Sequence, residues 1–304
     1  MKIFVSGLVN IETTTAVRKF PIDYYPIDYS FFGVRSNVSG VGFNITSALK
    51  ALGDEARFCS YTGDDEQAQR IIGKLERISV KTDLIQKTLK ETPASVVLYD
   101  PEGRRQIYCD LKDIQEQSLN PDSLIGELKN CDIAVLCNIN FNRELIKRAK
   151  KEGVVTACDV HVLSDIEDAY NRDFMENADI LFLSDENLPS KPELFIKQLK
   201  ERYKNKIIVI GMGSKGAMLL DKSGLYALKA PRCKKIVNTV GAGDSLFSAF
   251  LHFYAKGLSR VESLLRAETF AGIKIGFDGA AQGFCSENEV EQRLENHPIK
   301  YEII

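Results

Sequence analysis

The 304-residue sequence predicts an α/β domain: a central, mostly parallel sheet with helices on both faces, plus a small β-sheet lid. Three observations point there. Short apolar runs at 133–137, 154–159, 180–183 and 207–211 alternate with helical patterns at 142–151, 168–177 and 192–203. Strands that are apolar at nearly every residue need cover on both faces, which is how parallel sheets of βα units are built. A glycine-rich turn, Gly241-Ala242-Gly243, opens an apolar helix. Finally, two strand-like runs around residue 100, joined by Asp100-Pro101-Glu102-Gly103, break the βα rhythm with a hairpin.

Taken in order, residues 2–9 read as a buried strand ending at Gly7, with Asn10 and Glu12 just beyond it. That edge is where open α/β sheets bind ligands. Residues 17–38 are aromatic, punctuated by Pro21 and Pro26, and lack helical period. Ser39-Gly40-Val41-Gly42-Phe43-Asn44 then opens a helix whose Ile45, Ala48, Leu49 and Leu52 share a face, with Gly53 as its stop. A strand at 56–61 ends at Thr62-Gly63-Asp64-Asp65, a helix spans 67–78, and the chain returns at 80–85. Strands at 94–99 and 105–111 make the hairpin. After residue 211 the runs 217–220 and 225–228 form a second hairpin. Helices follow at about 244–254, 261–276 and 287–295, with a Gly/Ala loop at 278–283. No repeat or linker divides the chain. Residues 1–304 read as one domain, with a lid formed by about 11–38 and 94–112.

The charge balance excludes several function classes. Forty Lys and Arg against 42 Asp and Glu leave a net charge of -2, which gives no broad attraction to nucleic acid or anionic membrane. No apolar stretch approaches the ~18 residues a membrane helix needs. Seven dispersed Cys without a C-x-x-C pair, and three separated His, argue against a disulfide framework or a zinc site. The expectation is a reduced, cytoplasmic protein.

The chemistry concentrates in three places. At 241–244 a Gly-Ala-Gly turn precedes a helix whose first N–H groups lack intrahelical partners, an arrangement that attracts anions. Asp244 is the odd residue there: it either caps the helix or acts as a base beside a phosphate. Asn10, Glu12, Gly40, Gly42 and Asn44 gather amides and an acid at strand ends and helix starts, which suits a polyhydroxy ligand, although each alone is also an ordinary cap or turn residue. Gly211-Met212-Gly213-Ser214-Lys215-Gly216 formally matches G-x-G-x-x-G, but a dinucleotide fingerprint must open a helix, and here a β-like run follows. That disfavours a dehydrogenase and leaves the loop free to contact a nucleotide phosphate or ribose.

These stretches carry a resemblance. Residues 238–247 look like the second signature of the ribokinase-like sugar kinases, the phosphofructokinase B family, and 39–44 resembles its G-G-x-G-x-N signature. Residues 7–12, 62–65 and 213–217 are similar to further family turns, so the likeness runs nearly the full length. It implies a ribokinase-like Rossmann-type sandwich and an ATP-dependent kinase acting on a sugar hydroxyl, with a nucleoside as the alternative acceptor. Asp244 matches the family's catalytic base, and the Gly241, Ala242 and Gly243 amides match its anion hole. Asn10, Glu12, Gly40, Gly42 and Asn44 match substrate positions, with Arg105 in the lid hairpin. Gly213, Ser214, Gly216, Gly279 and Ala280 match the ATP pocket. The implied cofactors are ATP and Mg2+, with a monovalent cation (K+) as a further candidate. The lid also implies a homodimer contact.

Three departures stand out. Glu12 occupies a position where family members carry Asp. The family's N-x-x-E metal motif aligns with Ser184-Asp185-Glu186-Asn187, so Asn187 stands where the acid belongs and Glu186 is its neighbour. His161 replaces a usual Asn/Arg pair, and either faces the substrate or merely packs. A ligand-sensing relative without turnover is the rival from another class.

Overall fold

The computed structural model describes residues 1–304 except Gly103 and Lys234. The last residue of the 100–103 turn therefore lies outside the described residues. The strands are β1 (Lys2–Ser6), β2 (Asn10–Ala16), β3 (Val34–Ser39), β4 (Glu55–Thr62), β5 (Ile85–Lys87), β6 (Ala94–Tyr99), β7 (Arg105–Asp110), β8 (Ile133–Leu136), β9 (Thr156–Asp159), β10 (Ile180–Ser184), β11 (Ile207–Gly211), β12 (Ala217–Asp221), β13 (Gly224–Leu228) and β14 (Tyr301–Ile303). The helices are α1 (Val41–Ala51), α2 (Glu66–Arg77), α3 (Ile125–Lys129), α4 (Arg143–Lys151), α5 (Arg172–Asn177), α6 (Pro192–Tyr203), α7 (Ala242–Ala255), α8 (Arg260–Lys274) and α9 (Glu287–Asn296).

Ten strands form the main sheet in the order β14-β13-β12-β11-β10-β9-β8-β1-β4-β5. From β11 to β5 every pairing is parallel, and the three pairings that join β11, β12, β13 and β14 at one edge are antiparallel. Side chains alternate across a strand, so each apolar run feeds two layers. Ile3 and Val5 enter one core with Phe43, Phe182, Phe247 and Phe250, while Phe4 enters the other with Tyr61, Phe141 and Phe174. The strand residues Ile207 and Val209 against Ile208 and Ile210 repeat the same division. On the first face the helix that follows the glycine turn is pinned aromatically: the rings of Phe247 and Phe250 lie 4.8 and 5.2 Å from that of Phe182. Edge and tilted contacts of this kind add about 0.5–1.5 kcal/mol each beyond area burial.

A second, smaller sheet has the order β3-β2-β6-β7 and occupies the stretches expected to form a lid. Its middle pair is parallel and its outer pairs antiparallel. Register places Asn37, Glu12, Ser95 and Cys109 in one row across the four strands, and Arg35, Thr14, Val97 and Ile107 in the next. All these residues share one face, because positions two apart on a strand point the same way.

The fold departs from the sequence expectation in a few places. The helix expected over 168–177 begins only at Arg172, because Asp168 is engaged as an acceptor for the Asn171 N–H at 2.7 Å and holds a turn there. The strand expected at 80–85 is reduced to β5. Ser79 adopts φ 57° and the Val80 N–H closes back on the Leu75 carbonyl, so this stretch ends α2 and never extends. The small sheet expected from about residue 11 starts one residue earlier, with β2 running from Asn10 to Ala16, so Asn10 and Glu12 lie on a strand and not merely beyond the end of β1.

Candidate active site

Gly241 adopts φ 77° and caps α7 from the left-handed region that a Cβ disfavours. A Cβ there would also lie 2.5 Å from the Ala280 carbonyl oxygen, so the turn and the 279–281 loop touch backbone to backbone. Of the three amides in this turn, that of Ala242 donates to the Thr239 carbonyl at 3.2 Å. The Gly241 and Gly243 N–H groups meet no protein acceptor among the described residues. They are the donors open to an anion, and the N-terminal end of α7 adds its dipole.

Asp244 follows in the first turn of α7, buried. It does not cap its own helix. Instead its Oδ2 accepts from the Asn44 amide at 2.7 Å. Asn44 sits at the start of α1, where Gly40 adopts φ 103° and Gly42 lies so close to Gly7 and Phe58 that a Cβ would fall within 2.8 Å of both. Gly42 is therefore explained by close packing of α1 on the end of β1. The Ser39 hydroxyl stands between the two halves of the site, 3.4 Å from the Asn44 side-chain oxygen and 3.3 Å from Glu12 Oε2. A polar row thus runs from Glu12 on the lid through Ser39 and Asn44 to Asp244. Beside it Asn10 donates to Ser95 at 3.0 Å, while its side-chain oxygen is buried without a partner among the described residues. An orphaned buried acceptor calls for a donor, and a ligand hydroxyl supplies one.

Burial raises Asp244 above the usual carboxylate range, and His161, Asn44 and Lys274 pull it back while Asp159 adds to the rise. Glu12 is raised likewise, first by burial and further by Asp244, with Ser39 and Lys274 opposing. The two carboxylates feel each other. His161 lies close enough to lower Asp244 electrostatically, and its own backbone N–H donates to Asp159 at 2.8 Å.

The lid reaches this turn from above. Arg105 donates to the Thr239 hydroxyl at 3.3 Å, and Arg35 pairs with Asp278 at 2.6 Å. Asp278 also accepts from Asn238 at 3.0 Å. Between lid and loop lies a polar cavity of about 150 Å3 lined by Thr14, Arg35, Asn37, Asp278, Gly279 and Gln282. It joins a second, of about 180 Å3, through Asn37 and Gln282.

At the end of β11, Gly213, Ser214 and Lys215 form a single 3-10 turn, and β12 follows antiparallel to β11. No helix starts there, so the loop is not a dinucleotide fingerprint. Gly216 at φ 100° passes 2.0 Å, measured from an ideal Cβ, from the Leu228 carbonyl. Lys215 pairs with Asp185 at 3.2 Å and ties this loop to the end of β10. Glu186 is exposed beside it and Asn187 adopts φ 62°. Among the described residues no three acids, His or Cys converge on a metal position. The donor set does not fit a cation caged by protein alone. It fits a magnesium ion that keeps waters and phosphate oxygens and borrows one carboxylate.

Lys274 escaped the sequence reading. It ends α8, is 0 % exposed, and its ammonium donates to the Val240 carbonyl. A lysine in the last turn of a helix ordinarily signals a solvated cation at the dipole's negative end, so nothing in the pattern marked it.

Comparison with known proteins agrees with this geometry. The family model described as pfkB family carbohydrate kinase matches residues 2–286. A nucleoside kinase of Methanocaldococcus jannaschii is 21% identical over 304 residues, covering 98% of each chain. The bifunctional protein HldE of Campylobacter fetus is 24% identical over 282 residues and 83% of this chain, which spans 57% of that relative's length. Among solved structures, the microbiome-derived acarbose kinase Mak1 superposes with a TM-score of 0.86 at 20% identity, over 97% of this chain and 98% of the other. At that identity the likeness establishes the fold.

Proposed function

The chain belongs to the pfkB family of carbohydrate kinases, and on that premise we propose that it transfers the γ-phosphoryl group of ATP to a hydroxyl of a sugar. The observation that carries this reading is the buried 2.7 Å contact between Asn44 and Asp244 at the mouth of two open amides. ATP, bound with Mg2+, supplies the phosphoryl group. Asp244 takes the proton from the acceptor hydroxyl, and Asn44 holds the carboxylate oxygen that is not reacting. The Gly241 and Gly243 N–H groups meet the equatorial oxygens as negative charge spreads over them. Glu12 and Asn10 orient the remaining hydroxyls. Gly213, Ser214 and Gly216, with Gly279 and Ala280, hold the nucleotide, and Glu186 or Asp185 touches the metal through water.

A sugar is favoured over a nucleoside by the polar walls around Glu12. The aromatic segment offers no stacking wall in this conformation, since Tyr24, Phe31 and Phe32 are 88, 87 and 94 % exposed. The deciding experiment is ADP release from Mg·ATP across sugars, sugar phosphates and nucleosides. Turnover with a sugar or sugar phosphate supports the proposal, and turnover confined to nucleosides overturns the acceptor class. Binding without any turnover makes the protein a sensor.

The same exposed rings, on a lid whose strand β7 is exposed along its whole length, lead us to propose a homodimer through the lid. Sedimentation across micromolar concentrations is expected to give twice the chain mass. A chain mass at every concentration rejects this contact.

A further inference from the structure

Lys274 is the one buried group at the site that the proposed chemistry leaves without a task. Lysines are almost never fully buried without a partner of opposite charge, because desolvating an ammonium is expensive. Here the only hydrogen-bond partner among the described residues is a neutral oxygen, the carbonyl of Val240. That oxygen belongs to the same peptide unit as the Gly241 N–H, one of the two donors open to an anion. A peptide is planar and trans, so its C=O and N–H point in opposite directions. Whatever holds the oxygen therefore aims the N–H. A charged donor on a carbonyl also polarises the amide, which strengthens its N–H as a donor.

We propose that Lys274 is a positioning residue that grips the Val240 carbonyl from behind and thereby aims and strengthens the Gly241 N–H at the transferring phosphoryl group. The assignment rests on the kinase reading of the same site. The surroundings are built for it. The end of α8 is docked on the turn by two further bonds, from the Val237 and Asn238 N–H groups to the Ile275 carbonyl at 2.8 and 3.2 Å. Asn238 accepts from the Val240 N–H at 2.9 Å, so the peptide before the gripped carbonyl is also fixed. Asp244 on α7, Glu12 on β2 and Asp278 in the following loop face the ammonium and favour its charge, while Arg105 on β7 opposes it. Burial pushes Lys274 down to about 8, which leaves the ammonium form in the majority at neutral pH.

The test replaces Lys274 by Met, which keeps the length and apolar stem but not the donor, with Lys274→Ala as a second variant that opens room for an added amine. Two readouts are needed: kinetics with whichever acceptor the panel of sugars, sugar phosphates and nucleosides turns up, and the Gly241 amide proton in a backbone-assigned NMR spectrum. Losing an oxyanion donor outright costs about 10²–10³ in kcat, so weakening one is expected to cost about 10–100-fold. The acceptor KM should stay within a few fold, the Gly241 amide should shift upfield, and ammonium or methylamine should restore part of the Lys274→Ala rate. An unchanged kcat overturns the proposal. So does a fall in kcat with no movement of the Gly241 amide, which is what a merely structural lysine would give. Should the unmodified protein turn over no acceptor, the kinase reading fails by itself, and the Gly241 shift alone decides whether the clamp exists.

Discussion

Asp244→Asn is expected to lower kcat by about a thousandfold, within the range a positioned general base supplies. Asparagine keeps the shape of the side chain and can still meet Asn44, whose amide lies 2.7 Å from the carboxylate, but it cannot take the proton. Fold loss does not explain the effect in advance, and the sign of the linkage says why. Burial raises Asp244 in the folded state, so its ionisation opposes folding once pH exceeds that raised value, and stability is lost as pH rises through it. Removing the charge should leave the thermal midpoint at neutral pH unchanged or higher. Catalysis runs the other way, since it needs the ionised base. For the unmodified enzyme kcat should fall as pH drops, with an inflection above the ordinary carboxylate range near 4. Glu12 is raised as well, first by burial and in part by Asp244, so its titration falls in the same direction. An Asp244→Asn enzyme that retains a tenth of the activity would remove this residue from the chemistry.

The second large effect is expected from Gly241→Ala. The new methyl would sit at φ 77°, 2.5 Å from the Ala280 oxygen, and neither backbone can yield without moving the other. Strain of this kind is about 1–3 kcal/mol, and a displaced anion donor costs about a hundredfold in kcat. Gly257→Ala separates the two contributions. That residue has φ 92° with nothing within 4 Å of the added methyl, and it lies beyond the far end of α7. It should lower the thermal midpoint and leave kcat alone. Equal kinetic damage from both variants would mean that the turn's geometry is not what matters at residue 241.

How much of this was legible beforehand follows from what makes a sequence signal. Runs such as 207–211 are apolar because both faces of the strand are covered, and that necessity is local enough to read. The glycine turn is legible for the same reason, since positive φ restricts residue type. The Asn44–Asp244 contact was not legible: the resemblance gave the two residues separate roles, and no local pattern joins positions so far apart in the chain. The bounds and pairing of β2 were not legible within the small sheet expected over 11–38, because Asn-Ile-Glu-Thr-Thr-Thr-Ala alternates weakly and its partners β3 and β6 decide its conformation. Lys274 was illegible for a deeper reason. A helix-terminal lysine is ordinary until tertiary packing closes over it, and burial is not a property of its neighbours in sequence. The departure at Asn187 stands as the sequence had it. Asp185 is engaged with Lys215, and Glu186 is the acid left exposed at that strand end.

The bond between Asn44 and Asp244 spans 200 positions of chain. A contact of that separation forms only after most of the intervening sheet has closed, because the entropy of so long a loop must be offset by packing already in place. The Asp244 carboxylate is thus expected to acquire its geometry late in the folding of each molecule. Recovery of turnover during refolding should then trail the return of helical signal, and a partly assembled intermediate would carry the glycine turn and its acid while remaining chemically silent. On the proposed chemistry, consumption of nucleotide then waits until folding is finished.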